Sequence, residues 1–286
     1  MLKISSLVSC ISQDLSAAAS FAKESGLDGL DIDVVWGQPV VRIAGTEDAK
    51  SLQKVLKKEG ITTFCLAPTL FENWLDSEES VRDEFQNLEK CLDLAELLNS
   101  PLMRCYSFRR SEIFEAYLPR LQEHLGAAAE ICGKRGITLG IQNDARTFLG
   151  TGERTAKVIS SIGNPHLRSI WDPCAALYDM ENPEIPYPDG YRFLQPYIAH
   201  VMLRDVDRHK FRGSLCEVEF GEGLIDYRKQ IKKLQSEGFN DAVSLATHWH
   251  PGMDWDTSLD EANFTEQGGQ EAIRICLANL TNMMNN

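Results

Sequence analysis

Apolar residues in this chain fall into short runs that alternate with longer segments of helical periodicity. In the segment Ser80 to Leu98, apolar side chains recur at spacings of three and four residues, which is the period of one helix face. In the segment Ala242 to His248, Val243 and Leu245 alternate with small or polar residues, which predicts a strand. Strand and helix patterns follow one another along the whole chain.

The predicted strands are Leu2 to Ser9, Leu30 to Val34, Ile61 to Leu66, Leu102 to Tyr106, 137–144, 167–173, 197–205 and Ala242 to His248. The predicted helices are Asp14 to Ser25, Ala49 to Glu59, Ser80 to Leu98, about Glu112 to Arg135, Thr155 to Ile162, one ending near Phe193, Asp226 to Glu237 and Gln270 to Met284. Eight strands joined by helices predict a parallel sheet closed into a single (β/α)8 TIM barrel, an α/β fold in which residues 1–286 form one domain. A Rossmann fold is the alternative, but the turn after the first strand has no glycine to approach a phosphate.

The composition narrows the class of function. The net charge is -13 over 286 residues and no run of basic residues occurs, which argues against a nucleic-acid partner. No apolar run approaches the roughly 20 residues that span a bilayer, and the first residues do not form a secretion signal, so we expect no membrane partner and a cytoplasmic location. The eight cysteines show no CxxC pair, which argues against a zinc ribbon or a disulfide framework.

In a TIM barrel the active site lies at the C-terminal ends of the strands, and period-two alternation identifies the side chains that point inward. The predicted inward residues are Gln142 and Asp144 on the fifth strand, Asp172 on the sixth, His200, Met202 and Arg204 on the seventh, and Ser244, Ala246 and His248 on the eighth. We expect these polar side chains to meet around one pocket, with His200 lower in the barrel as a core histidine.

Three motifs in the second half of the chain, HVMLRD, GEGLIDYRKQIKKLQSEGF and SLATHW, resemble those of the xylose isomerase-like TIM barrels. That family includes sugar and sugar-phosphate isomerases and epimerases, inosose dehydratases and the endonuclease IV group. The resemblance covers nearly the whole chain and is strongest from Gly136 to Trp249. It implies a divalent metal held by Glu, Asp, His and Glu on four successive strands, positions that carry Gln142, Asp172, Met202 and Ala246 here.

Only Asp172 keeps the ligand that the resemblance implies. A single carboxylate with a neutral amide and a thioether is a poor ligand set for a hard divalent cation. In the related isomerases the two glutamates also transfer protons, which neither Gln142 nor Ala246 can do. We therefore expect a degenerate metal site, no metal cofactor and no epimerase mechanism of the usual kind.

The remaining polar residues supply the candidate site. Asp172, Asp144 and His248 are the candidate acid–base residues. Arg204 offers a planar fork suited to an anion or to vicinal hydroxyls, although a salt bridge to Asp172 or Asp205 is an alternative role. The other candidate substrate-binding residues are Gln142, Glu222 of a GEG turn, and Trp249 and Trp36, whose rings could stack on a sugar or pack against loops.

These residues leave three hypotheses. The first is an enzyme-like barrel that binds a sugar, polyol or related small polar molecule, any catalysis being metal-independent proton transfer. The second is a non-catalytic ligand-binding or partner subunit derived from such an isomerase. The third is an active metal-dependent isomerase or epimerase with a shifted ligand set, Asp144, Asp172, His248 and His250. The sequence leaves open whether the chain forms a homo-oligomer.

Overall fold

The computed structural model describes residues 2–111, 113–209, 213–253 and 265–285. Eight parallel strands hydrogen-bond in sequence order into a closed barrel. They are β1 (Lys3–Leu7), β2 (Gly29–Ile32), β3 (Thr62–Leu66), β4 (Leu102–Cys105), β5 (Thr138–Gln142), β6 (Leu167–Trp171), β7 (Ile198–Leu203) and β8 (Ala242–Leu245). The predicted (β/α)8 barrel is confirmed.

The long helices of the described residues lie between these strands, in the order that the sequence predicts. They are α1 (Leu15–Ser25), α2 (Asp48–Glu59), α3 (Glu78–Leu98), α4 (Phe114–Lys134), α5 (Gly152–Ile162), α6 (Tyr227–Ser236) and α7 (Glu266–Asn285). The predicted start of α4 at Glu112 lies outside the described residues. None of the described helices is long and apolar enough to cross a membrane.

Local side chains fix where these helices begin and end. The side chain of Asp14 accepts the N–H of Ala17 at 2.8 Å and caps α1, and Ser77 caps α3 in the same way. Gly60 ends α2 in the left-handed conformation (φ 71°), which costs little only for glycine. These capping residues therefore place the observed helix ends within a few residues of the predicted ones.

The barrel interior contains a buried polar group below the strand ends. His200 of β7 is 1% exposed, and its Nε2 lies 2.9 Å from Oδ2 of Asp31 on β2. Ser5 of β1 donates its hydroxyl to the same Asp31 oxygen at 3.1 Å. The prediction that His200 is a hydrogen-bonded core histidine is confirmed.

The eighth strand is shorter than predicted. It ends at Leu245 rather than at His248, because the N–H of His248 donates to Oε2 of Glu217 at 2.7 Å instead of to a neighbouring strand. The N–H of Trp249 then donates to the Thr247 hydroxyl at 3.1 Å, which turns the chain away from the barrel. Ala246 remains buried, whereas the His248 side chain is exposed.

Two antiparallel hairpins follow strand ends. The first joins Val34–Val35 to Gln38–Pro39 after β2. The second, which we call the β7 hairpin, joins Asp205–Arg208 to Leu215–Val218 directly after β7. Both hairpins therefore stand at the C-terminal end of the barrel. All eight cysteines are free, and all but Cys216 are buried.

Gly152, the first residue of α5, provides a test of how tightly that helix packs against Gly190. A methyl group on Gly152 would overlap the backbone of Gly190. We expect Gly152→Ala to lower the free energy of unfolding by about 1–3 kcal/mol, the usual cost of overpacking, measured by urea denaturation. Gly126→Ala is the control: a methyl there meets Ile162 at an ordinary 3.5 Å inside α4. It should leave stability unchanged or raise it by up to about 1 kcal/mol. Equal losses in the two variants would contradict this packing.

Candidate functional site

A chain of hydrogen bonds joins polar side chains of four neighbouring strands at the C-terminal end of the barrel. Arg104 of β4 donates from Nη1 to Oε1 of Gln142 at 3.3 Å. Gln142 of β5 donates from Nε2 to Oδ2 of Asp172, just after β6, at 3.1 Å. Arg204, just after β7, donates from Nη2 to the same oxygen at 3.0 Å. The predicted inward residues Gln142, Asp172 and Arg204 thus meet as expected.

Asp172 is the centre of this network and is 1% exposed. Its Oδ2 accepts from Gln142 and Arg204, and its Oδ1 accepts the N–H of Ala175 at 2.9 Å. The second contact caps the short helix Pro173–Leu177 that follows β6. Both oxygens of the carboxylate are therefore already bound by groups of the protein.

Arg204 lies between two carboxylates and reaches the barrel mouth, with 22% of its side chain exposed. Besides Asp172 it contacts Oε1 of Glu217 at 3.2 Å. Burial by itself would lower the pKa of Arg204, but the neighbouring negative charges, Asp172 first, raise it above its ordinary value. The predicted salt bridge of Arg204 to Asp172 is confirmed. Asp205, the other predicted partner, instead accepts the backbone N–H groups of Val206, Gly221 and Gly223.

Two residues of the network were not among the sequence candidates. Glu217 lies on the β7 hairpin, where it contacts Arg204 and accepts the His248 N–H, so it ties β7 to the end of β8. The alternation of LCEV around it is a strand signal that could have indicated its direction. Arg104 could have been found from its place on the fourth strand between the apolar residues Met103 and Cys105, which as outward residues leave Arg104 on the inner face.

Asp144 lies two residues beyond β5 in an ion pair with Arg146. The Nη2 of Arg146 is 2.8 Å from Oδ2 of Asp144, and the Arg146 backbone N–H donates to Oδ1 at 2.8 Å. Burial alone would raise the pKa of the Asp144 carboxyl, but the hydrogen bonds and positive charge of Arg146, with a contribution from Arg204, hold that pKa below its ordinary value. Asp144 is thereby held as a carboxylate at neutral pH.

The structure places the other candidate residues around the mouth without joining them to the network. Glu222 is exposed, and no described hydrogen bond or ion pair involves its carboxylate, so the hairpin segment reaches Arg204 through Glu217 instead. Trp36 is 37% exposed at the tip of the first hairpin. His248 is exposed and Trp249 half-buried in the turn after β8.

The residues at the implied metal positions do not fit a divalent cation. Met202 and Ala246 are buried at the level of Asp172 and offer a thioether and a methyl group, while Asp172 is saturated by hydrogen bonds. Among the described residues, no three His, Cys, Asp or Glu side chains come together in a group that could hold a metal ion. The shifted set of Asp144, Asp172, His248 and His250, all of them described, is therefore not assembled.

Comparisons with known proteins agree with the architecture. Residues 19–268 match the family model of the xylose isomerase-like TIM barrel. The IOLI protein, solved with a bound zinc atom, is 13% identical with a TM-score of 0.77, over 99% of this chain and 98% of that chain. D-psicose 3-epimerase with D-tagatose, from Clostridium cellulolyticum H10, is 13% identical with a TM-score of 0.75, over 99% of both chains.

The 3-keto-D-glucoside 4-epimerase YcjR from E. coli, in its apo form, is 13% identical with a TM-score of 0.72, over 99% of this chain and 100% of that chain. At this level of identity the similarity shows a common fold. A search of curated protein sequences gave no match.

The Arg204–Asp172 ion pair can be tested through stability. Arg204→Met should lower the free energy of unfolding by about 3–5 kcal/mol, because it leaves the buried Asp172 carboxylate uncompensated. Adding Asp172→Asn in the same chain should recover part of that loss, since no charge then remains buried. Urea denaturation of the two single variants and the double variant measures the coupling. Additive losses would show that the two side chains do not depend on each other.

The effect of Arg146 on Asp144 can be tested by titration. In Arg146→Met the pKa of Asp144 should rise above its wild-type value, because burial remains while the hydrogen bonds and the charge are removed. Carbon-detected NMR of the carboxyl group measures the pKa, and Arg135→Met on the outer helices is the control that should leave it unchanged. The stability that the ion pair contributes should be present at neutral pH and disappear as the pH falls through the lowered pKa of Asp144. An unmoved pKa would contradict this ion pair.

Proposed function

We propose that this chain, which belongs to the xylose isomerase-like TIM barrel family, binds a sugar, polyol or related small polar molecule at the C-terminal ends of its strands. The observation that carries the proposal is the position of Arg204, fixed by Asp172 and Glu217 and exposed at the mouth. Two of the structural neighbours, 3-keto-D-glucoside 4-epimerase and D-psicose 3-epimerase, are sugar epimerases, which supports a ligand of this class.

Arg204 has hydrogen-bonding capacity left for a ligand. A guanidinium has five N–H groups, and Nε, one hydrogen of Nη2 and one of Nη1 are used by Asp172 and Glu217. The second hydrogen of each terminal nitrogen remains available to a ligand. Because Asp172 and Glu217 hold the plane of the group, little side-chain entropy is lost when a ligand binds to it. Vicinal hydroxyls or a carboxylate match the spacing of two such donors.

The rest of the predicted pocket surrounds this donor pair. Gln142 holds the Asp172 side chain in place from below. We propose that Gln142 affects substrate binding indirectly, by positioning that carboxylate. Trp249 and Trp36 stand on loops at the mouth, where an indole ring can cover the apolar face of a sugar. We propose that Glu222 contacts the ligand from the rim of the pocket.

Any catalysis at this pocket would be proton transfer without a metal. Among the candidate acid–base residues, Asp172 and Asp144 are each engaged in an ion pair with an arginine. The His248 imidazole is exposed, and its ring has no hydrogen-bond partner among the described residues. Imidazole is the side chain most often used as a general acid or base. We therefore assign the proton transfer to His248 first, with Asp172 or Asp144 as the second group.

A non-catalytic role is the second candidate, and a specific observation favours it. The two candidate carboxylates, Asp172 and Asp144, are tied into ion pairs with arginines, and Ala246 stands where the resemblance implies the second glutamate. A pocket with a fixed cation and no unengaged base at its centre is suited to binding more than to bond making. The third candidate is metal binding by the shifted set, Asp144, Asp172, His248 and His250, and metal analysis tests it.

Ligand titration tests the proposed binding. Calorimetry of the full chain with a panel of pentoses, hexoses, polyols and sugar acids should give saturable binding for at least one compound. Arg204→Met should weaken that binding by about tenfold or more, the value of one or two charge-assisted hydrogen bonds. Arg135→Met removes the same charge from the outer helices and should leave the affinity unchanged. Binding that survives in Arg204→Met would place the ligand elsewhere.

Metal analysis and restored residues separate the three roles. Turnover by the wild type in chelator would support metal-independent catalysis, and binding without turnover would support the non-catalytic role. Stoichiometric manganese or zinc, lost in Asp172→Asn, would support the shifted metal set. The triple variant Gln142→Glu, Met202→His and Ala246→Glu, assayed for ketose epimerisation with manganese, tests whether the pocket still accepts a sugar.

A further inference from the structure

A second cavity lies at the other end of the barrel, where the strands begin. Its volume is about 550 Å³, and its walls come from the first residues of the strands. Those that bear on the argument are Lys3 of β1, Thr63 of β3, Thr138 of β5, Arg168 of β6, His200 of β7 and Asp241 before β8. The cavity is separated from the Asp172 network by the length of the barrel.

Two cations in this cavity lack a neutralising partner. Among the described residues, neither Lys3 nor Arg168 forms an ion pair. The Nζ of Lys3 stands 5.6 Å from the centre of the Phe64 ring, and Nη2 of Arg168 has only the carbonyl of Ile198, at 3.5 Å. Asp241 is exposed at the rim and pairs with neither of them. In a chain of net charge -13, two unpaired cations in one cavity are a local excess of positive charge.

A buried side chain reaches the same cavity from the barrel interior. His200 lines the cavity although it is only 1% exposed, and its Nε2 is committed to Asp31 at 2.9 Å. Ser5 holds Asp31 from the other side. The imidazole is therefore fixed in orientation, and Nδ1, which has no partner among the described residues, is the ring atom left for a ligand.

Hydroxyl groups complete the lining. Thr63 is buried near the start of β3 and Thr138 is half-buried at the start of β5, and neither hydroxyl has a hydrogen-bond partner among the described residues. Hydroxyls can donate to an oxyanion or accept from a ligand hydroxyl, whereas the cations can only donate. The cavity thus combines the positive charges of an exposed lysine and a half-buried arginine with adaptable hydroxyls and one buried imidazole.

We propose that this cavity is a binding site for a small hydroxylated oxyanion, a phosphate ester or a hydroxy acid, distinct from the pocket at the C-terminal end. Lys3 and Arg168 neutralise the anion, the threonine hydroxyls bind its oxygens, and Nδ1 of His200 meets a hydroxyl group of the ligand. The two cations stand on β1 and β6, which are separated by β8 and β7 in the barrel, so the anion lies across this side of the cavity.

Titration with inorganic phosphate tests this site in the full chain. Calorimetry in a phosphate-free buffer should show saturable binding by the wild type, and Lys3→Met and Arg168→Met should each weaken it by about tenfold or more. Arg135→Met, on the outer helices, is the matched control and should bind phosphate as the wild type does, whereas Arg204→Met tests whether the anion binds at the other end of the barrel instead. Thermal unfolding checks that each variant is folded.

A spectroscopic readout makes the assignment specific to His200. Addition of phosphate to protein labelled with ¹⁵N-histidine should shift the ring resonances of His200 and leave those of His248 unchanged. Absence of saturable binding would overturn the proposal, as would binding that is unaffected in both Lys3→Met and Arg168→Met. Loss of binding in Arg204→Met with movement of the His248 signals would place the anion in the C-terminal pocket instead, and would also overturn it.

Discussion

The buried ion pair between Arg204 and Asp172 is the constraint on which the C-terminal end of this barrel depends. A carboxylate that is 1% exposed must be paired, because an isolated buried charge costs several kcal/mol. Arg204 pairs with this carboxylate, and it also pairs with a second one farther out, Glu217 of the β7 hairpin. Glu217 in turn takes the backbone N–H of His248 and ends β8. One guanidinium therefore fixes a strand end, a hairpin and the turn that closes the barrel.

Gln142 is chemically matched to that ion pair. The amide donates from Nε2 to Asp172 while its oxygen accepts from Arg104. The two hydrogen bonds therefore run in the same direction, from Arg104 to Gln142 and from Gln142 to Asp172. A glutamate at this position, as the resemblance implies, could not donate to Asp172, and two carboxylates at 3.1 Å would repel each other unless a cation or proton lay between them. The amide and the arginine stabilise the Asp172 carboxylate by hydrogen bonding, whereas a divalent ion would stabilise it by its charge. Of the four implied ligand positions, Asp172 is kept, and Gln142 replaces a carboxylate with the amide that this ion pair accommodates.

The fold and half of this network could be predicted from the sequence. Period-two alternation placed Gln142, Asp172 and Arg204 on the inner face, and each stands at or just beyond the end of its strand, where the three side chains meet. Glu217 was not predicted, since its position depends on a hairpin inserted after β7 whose fold cannot be read from strand–helix alternation. The partner of His200 was not predicted either: Asp31 is 169 residues away in the chain, and only closure of the barrel brings the two together. Local pattern gave the direction of each side chain, and closure decided its partner.

The pairing of polar groups also separates structural from functional roles within the barrel. Both oxygens of Asp172 and Oδ2 of Asp31 are bound by neighbouring protein groups, and their main physical effect is to hold Arg204 and His200 in fixed orientations. Arg204 retains two unused N–H groups at the mouth, and Lys3 and Arg168 carry charge without a carboxylate partner among the described residues. A cation that is fixed but incompletely satisfied gains free energy from a ligand, whereas a saturated carboxylate must first lose a hydrogen bond. By that criterion the cations at both ends of this barrel keep hydrogen-bond donors that a ligand could use, and Asp172 orients the one at the C-terminal end.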